Sequence, residues 1–188
     1  MKRYGPMALA IAAVLAACSS PSGEGPGRAA SVPGPVPDEV TFAPPPANAP
    51  PAPSFELPLL GGGSVDTADE SEQRPIVLVF FETRCEQCRA QQREINEVAE
   101  EFGDIVLFLG VAGRSEPDDV RAYVTENEIT YPVGADGDGD IWLQYAVEEP
   151  PLVALVSQGG RLVRGWPAGV AGPALRDQID QMVLAPTL

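Results

Sequence analysis

The sequence predicts an α/β domain with a mixed central β-sheet flanked by helices. Three observations carry this. The apolar runs at 76–81, 105–111 and 152–156 (IVLVFF, IVLFLGV and LVALV) have the length and composition of strands buried on both faces. Segments with apolar residues at helical spacing follow the first two runs. The third run is followed by Gln158-Gly159-Gly160 and another short run, the pattern of an antiparallel hairpin. Strand–helix–strand connections imply parallel neighbours, and the hairpin adds an antiparallel one.

The folded domain is expected over 54–188. Phe55-Glu56-Leu57 and the Gly61-Gly62-Gly63 turn suggest a short strand or hairpin at its entry. After Ile76–Phe81 comes a helix whose Ile95, Val98, Ala99 and Phe102 recur at i, i+3, i+4 and i+7. Thr83-Arg84-Cys85-Glu86 fits a capping box, with Thr83 as the N-cap. Past the second strand, Ser115-Glu116-Pro117-Asp118 reads as a helix start, with Val120, Tyr123 and Val124 on the buried face. The turn after Leu152–Val156 leads into Arg161–Arg164 as its antiparallel neighbour. Pro173 opens a last helix, with Leu175, Ile179, Met182 and Val183 on one face.

The N-terminus is of a different kind. Lys2 and Arg3 precede an eleven-residue apolar run, Met7 to Ala17, which is too short to span a bilayer and reads as a secretory signal peptide over 1–17. It ends in Leu15-Ala16-Ala17-Cys18, which resembles the lipobox of bacterial lipoproteins. That resemblance implies a lipid on Cys18, a mature chain that begins there, and an extracytoplasmic, membrane-anchored location. With 11 prolines among the 35 residues from 19 to 53, the stretch 18–53 is expected to be the lipidated cysteine and a disordered, Pro-rich tether.

Composition narrows the function. The formal net charge of −15 argues against nucleic acid or an anionic membrane surface as an electrostatic partner. The chain has no histidine, which excludes His-based metal sites and His general bases. Asp136-Gly137-Asp138-Gly139-Asp140 has the spacing of a calcium loop's start, but Ile141 and Val147 stand where that loop needs Gly and a bidentate Glu. It is read as a polar turn. Trp142 and Trp166 are read as packing residues. No cofactor and no metal are expected.

The chemistry sits in Cys85-Glu86-Gln87-Cys88, directly between the first long strand and the first helix. Two thiols at this spacing suit reversible disulfide exchange, and a helix N-terminus favours the thiolate of the first. Arg84 and Arg89 act in the same sense and Glu86 against it. If Cys18 carries lipid, Cys85 and Cys88 are the two thiols left to pair. A static structural disulfide is the competing account. A zinc half-site is disfavoured, because a closed site needs four ligands and the sequence has no second cysteine pair.

The element order, with Cys-x-x-Cys after the first long strand, resembles the thioredoxin-like fold, and in particular the TlpA/ResA/CcmG group of extracytoplasmic thiol-disulfide oxidoreductases. The segments that carry the resemblance are Ser54-Phe55-Glu56-Leu57-Pro58, Phe80 to Arg89, Tyr131-Pro132-Val133 with Asp136, Tyr145-Ala146-Val147, and Pro151 ahead of a strand. The resemblance implies that Cys85 attacks, that Cys88 resolves, and that Pro151 is the cis-proline against the disulfide, with Pro150 as the alternative. It departs from the group at Arg84, Gln87, Gln91 and Arg93, where tryptophan, proline, an acid and proline are usual. Val79 stands where cytoplasmic thioredoxins keep a buried aspartate, so proton handling falls to water, Glu82 or Glu86.

Three function classes follow. The first is a membrane-tethered oxidoreductase, reductase-like by resemblance. It would act on extracytoplasmic protein thiols or disulfides and be served by a membrane redox donor. The second is a non-catalytic thioredoxin-like binding module with the pair locked as a staple. The third is a thiol peroxidase, disfavoured because the Pro/Thr-bearing loop that usually precedes its cysteine is missing. A monomer is expected.

Overall fold

In the computed structural model, which describes Met1 and residues 31–184, the elements run in the order β1 (Thr41–Phe42), β2 (Glu56–Pro58), β3 (Ser64–Asp66), α1 (Thr67–Gln73), β4 (Ile76–Phe81), α2 (Glu86–Phe102), β5 (Leu107–Gly113), α3 (Pro117–Glu126), β6 (Val133–Asp136), α4 (Asp140–Gln144), β7 (Leu152–Val156), β8 (Leu162–Pro167), α5 (Gly172–Asp180) and β9 (Val183–Leu184). Five strands form the central sheet in the order β6-β5-β4-β7-β8. β4, β5 and β6 are parallel, while β7 runs antiparallel to β4, and β8 to β7. The sheet is mixed and flanked by helices, as the sequence predicts. Among the described residues no helix is long and apolar enough to cross a membrane.

β4 is the centre of this arrangement. All six of its residues are buried, and its side chains alternate between two cores. Val77, Val79 and Phe81 join Ile95, Val98 and Phe102 of α2, Val120 and Tyr123 of α3, and Leu175 and Ile179 of α5. Ile76, Leu78 and Phe80 join Phe55, Leu57, Val65, Ile141 and Trp142 on the other face. The two-residue period of a strand makes one apolar run serve both layers. The end of β4 is therefore a rigid platform, and the chain leaves it directly into the cysteine segment.

The entry hairpin, β4, β7, the β7–β8 hairpin and the apolar faces of α2 and α3 agree with the sequence analysis. Several details differ. The second strand starts at Leu107, and α5 ends at Asp180, so Val183 lies in a strand and not on the last helix. α1, β6 and α4 are additional. α1 (TADESEQ) has no apolar face to betray it and begins at an Asp66 cap, whose Oδ1 accepts the Ala68 N–H at 2.8 Å. The Asp136–Asp140 stretch is the end of β6, a turn and the start of α4, and buried Asp136 accepts the Trp142 backbone N–H at 2.8 Å.

The largest correction concerns the tether. Residues 31–53 are not free of the domain. β1 pairs with β9, the Ala43 N–H donates to Met182 O, Ala52 N–H to Gly160 O at 2.9 Å, and Leu162 N–H to Pro50 O at 2.9 Å. Ala49 is buried, and Arg74 donates to Gly34 O at 2.6 Å. Proline lacks a donor but keeps its carbonyl, so a Pro-rich segment can run extended along a sheet edge and accept hydrogen bonds. The folded part therefore begins well before residue 54. The expected signal segment beyond Met1, the lipidation site Cys18 and the stretch 19–30 lie outside the described residues.

Candidate active site

Cys85 and Cys88 form a disulfide with S–S 2.05 Å and Cα–Cα 5.2 Å. The local backbone explains the pairing. β4 ends at Phe81, a four-residue loop follows, and α2 starts at Glu86. Cys85 is the N-cap, in extended conformation, and its Sγ accepts the Cys88 backbone N–H at 3.0 Å. Cys88, one turn into the helix, is only 3% exposed, whereas Cys85 is half-buried. One sulfur is thus presented to solvent and the other is held behind it.

Thr83 does not cap the helix, contrary to the capping-box expectation. Its backbone N–H donates to Ser115 Oγ at 3.2 Å, and the two hydroxyl oxygens lie 3.3 Å apart. Ser115 in turn donates to Gly113 O at 2.9 Å, so the cysteine loop is tied to the end of β5. Arg89 donates to Thr83 O and lies over the Tyr123 ring, 5.8 Å from its centroid. Tyr123 itself stacks on Phe81, with centroids 4.8 Å apart. Burial pushes its phenol up to about 12, against a smaller opposing pull from Arg89.

The remaining expected site residues fall into two groups. Arg84 and Glu86 are exposed beside Cys85 and make no ion pair among the described residues. Gln87 donates to Ala168 O at 2.9 Å, and Gln91 donates to the same oxygen at 2.9 Å. Arg93 pairs with Glu97, away from the sulfurs in the exposed part of α2. Glu82 pairs with Arg114 at 3.2 Å, and Arg114 also donates to Glu148 O and lies 5.3 Å from the Trp142 ring. Val79 is fully in the core, so no carboxylate stands at that position.

Pro151 follows the cis Pro150–Pro151 bond and is buried. Leu152 is the register partner of Phe80, which sets Pro151 at the end of β4 from which the cysteine loop departs. Beside it runs an open groove of about 540 Å³, lined by Gln87, Glu148, Glu149, Pro150, Leu152 and Ala168, among others. Thr83–Ser115, Glu82–Arg114 and Gln87–Ala168 all escape sequence reasoning. Their partners lie 32 to 81 residues apart and carry no local pattern. Among the described residues, no three His, Cys, Asp or Glu side chains are grouped to hold a metal ion.

Residues 49–175 match a family model described as the AhpC/TSA family. The chain is 29% identical over 106 residues to the soluble secreted antigen MPT53 of Mycobacterium tuberculosis, covering 56% of this chain and 60% of that protein. It thus spans less than two thirds of that relative. It is 22% identical over 131 residues to the thiol-disulfide oxidoreductase ResA of Bacillus cereus, covering 69% and 73%. Among solved structures, a secreted M. tuberculosis disulfide oxidoreductase homologous to E. coli DsbE superposes with TM-score 0.59 at 24% identity, covering 66% of this chain and 93% of that one. The thioredoxin domain of a Bacteroides vulgatus thiol-disulfide oxidoreductase gives 0.63 at 19%, covering 72% and 97%. These two likenesses establish the thioredoxin-like fold.

Proposed function

The chain belongs to the AhpC/TSA family, and from that premise we propose that it is a membrane-tethered, extracytoplasmic thiol-disulfide oxidoreductase working through Cys85 and Cys88. The observation that carries the reading is the asymmetry of the pair. Cys85 is half-exposed at a helix N-terminus, and Cys88 is buried one turn behind it. The names of ResA and of the secreted relatives support the same chemistry and an extracytoplasmic setting. The lipobox-like Leu15-Ala16-Ala17-Cys18 supports the anchor, and a membrane redox donor would be within its reach.

In the reductive direction the Cys85 thiolate attacks one sulfur of a partner disulfide. A Cys85–partner S–S bond forms, the partner's S–S bond breaks, and the partner's second sulfur leaves as a thiolate that takes up a proton. The Cys88 thiol loses its proton to solvent or a nearby base and attacks Cys85 Sγ. This breaks the mixed disulfide, closes Cys85–Cys88 and releases the partner's first thiol. Two electrons and two protons have passed to the partner. The oxidative direction is the reverse. Backbone N–H groups at the start of α2 stabilise charge on the Cys85 sulfur in either direction.

The test is a redox titration followed by trapping. Alkylation and mass should show a reversible two-electron transition, near about −270 mV for a reductase and nearer about −120 mV for an oxidant of exported thiols. Cys85→Ser should abolish exchange, and Cys88→Ser should accumulate mixed disulfides on Cys85. A disulfide that resists reduction until the chain unfolds would replace this reading with that of a binding module.

A further inference from the structure

One face of α2 holds the start of the loop between β8 and α5 and the first residue of α5. Gln87, Gln91 and Glu94 recur at i, i+4 and i+7. The first two donate to Ala168 O, each at 2.9 Å, and Glu94 Oε2 accepts the Gly172 N–H at 2.7 Å. A carbonyl oxygen has two lone pairs, so both glutamines can be served at once. The loop is shaped to meet them. Ala168 has φ +65°, a left-handed conformation that an L residue keeps only where its surroundings hold it. Gly169 has φ +78°, and a Cβ there would lie 1.9 Å from Gln91 Oε1.

Gln87 differs from the other two in being one of the two residues between the cysteines. It also lines the groove beside Pro150, and Pro167 and Ala168 form part of the same lining. The side chain that fixes the loop thus starts from the redox motif, and the loop it fixes is a wall of the groove that Gln87 also lines. We infer that Gln87 and Gln91 are positioning residues of the exchange reaction. They hold the β8–α5 loop as the wall against which the cysteine-bearing segment of a protein partner lies. This rests on the oxidoreductase reading above and adds how a macromolecular partner is favoured over a small disulfide. A small disulfide reaches the exposed part of Cys85 without lying along the groove, and an extended polypeptide segment does not.

The test compares two probes on the full chain, the disulfides of insulin and the small aromatic disulfide dithiobis(nitrobenzoate). The variants are Gln87→Met, Gln91→Met and the double substitution, which keep the apolar stem and remove the donors. The ratio of the insulin rate constant to the small-disulfide rate constant should fall about tenfold in the double variant, through a higher KM for insulin rather than a lower kcat. Each single variant keeps one donor on Ala168 O and should fall less. Gly169→Ala, which forces the loop off Gln91, should lower the ratio in the same way. If the wild type exchanges with both probes and the ratio in the double variant stays within about twofold, the inference is overturned and the oxidoreductase reading stands. If the wild type exchanges with neither probe, that reading fails and the inference goes with it.

Discussion

Cys85 caps the helix in which its disulfide partner lies, its Sγ accepting the Cys88 backbone N–H at 3.0 Å. On reduction the two sulfurs therefore start from unequal positions. Cys85 is half-exposed and near the free N–H groups of the first turn, while Cys88 is 3% exposed. In the reduced protein iodoacetamide should label Cys85 at least about tenfold faster than Cys88. Peptide mapping by mass spectrometry after brief exposure reads this directly. Equal labelling would mean that the asymmetry does not survive reduction.

The Tyr123 hydroxyl is buried without a hydrogen-bond partner. Burial lifts its phenol from 10.0 to about 12, and burial also raises Tyr131 and Tyr145. Between those values for Tyr123 the unfolded chain gives up a proton that the folded chain keeps. Its contribution to stability is thus present below about pH 10 and is lost as pH rises towards 12. Tyr123→Phe should leave stability at neutral pH unchanged or higher by up to about 1 kcal/mol. It should also make the loss between about pH 10 and about pH 12 shallower. Urea midpoints of both chains at neutral and alkaline pH decide it, and parallel alkaline losses would count against the assignment.

Gly113 is where β5 passes under Trp142. A Cβ there would stand 2.2 Å from the indole Cε2. The indole cannot retreat freely. Its Nε1 donates to Val111 O at 3.3 Å, its backbone N–H donates to Asp136, and its ring packs edge-on against Phe80. Gly113→Ala should therefore cost about 1–3 kcal/mol by overpacking, seen as a lower urea midpoint with an unchanged slope. A change within about 0.5 kcal/mol would show that the indole yields more easily than its contacts suggest.

How much of this was legible follows from how local each signal is. β4 and β7 announce themselves because every residue in the run is apolar, and the cysteine pair because its spacing is itself the chemistry. The N-cap differs from the sequence expectation for a long-range reason. The Thr83 hydroxyl is within reach of Ser115, and the cap falls to Cys85, which sequence rules do not rank as a capping residue. α1 stayed hidden because its buried residues are Thr67 and Ser71, not a stripe of apolar ones. Val183 fits a helical face by spacing, but pairing with Phe42 draws it into a strand. Gln87 and Gln91 were visible as unusual residues, yet their shared acceptor lies 81 and 77 residues downstream.

The N-terminal strap gives the last prediction. A boundary drawn at residue 54 from composition would remove the Gly34 carbonyl that Arg74 binds, the β1 partner of β9, and the Pro50 carbonyl and Ala52 N–H that extend the edge of the sheet. It would also remove the Pro53 carbonyl that accepts the Tyr145 hydroxyl at 2.7 Å. Arg74 is 2% exposed, and its Nε lies 3.4 Å from Glu70. Without the strap its guanidinium loses the Gly34 carbonyl as an acceptor. Each lost hydrogen bond is worth about 0.5–1.5 kcal/mol net, and a buried donor left unpaired costs more. A chain starting at residue 54 should be less stable than one starting at 31 by at least about 2 kcal/mol. Hydrogen exchange should show the Leu162 amide, which donates to Pro50 O, protected in the chain that keeps the strap and unprotected in the shorter one. Matching urea midpoints for the two chains would mean that the strap rests on the domain without holding it. A drop of the expected size would make residue 31, not 54, the working start of the folded unit for every redox measurement above.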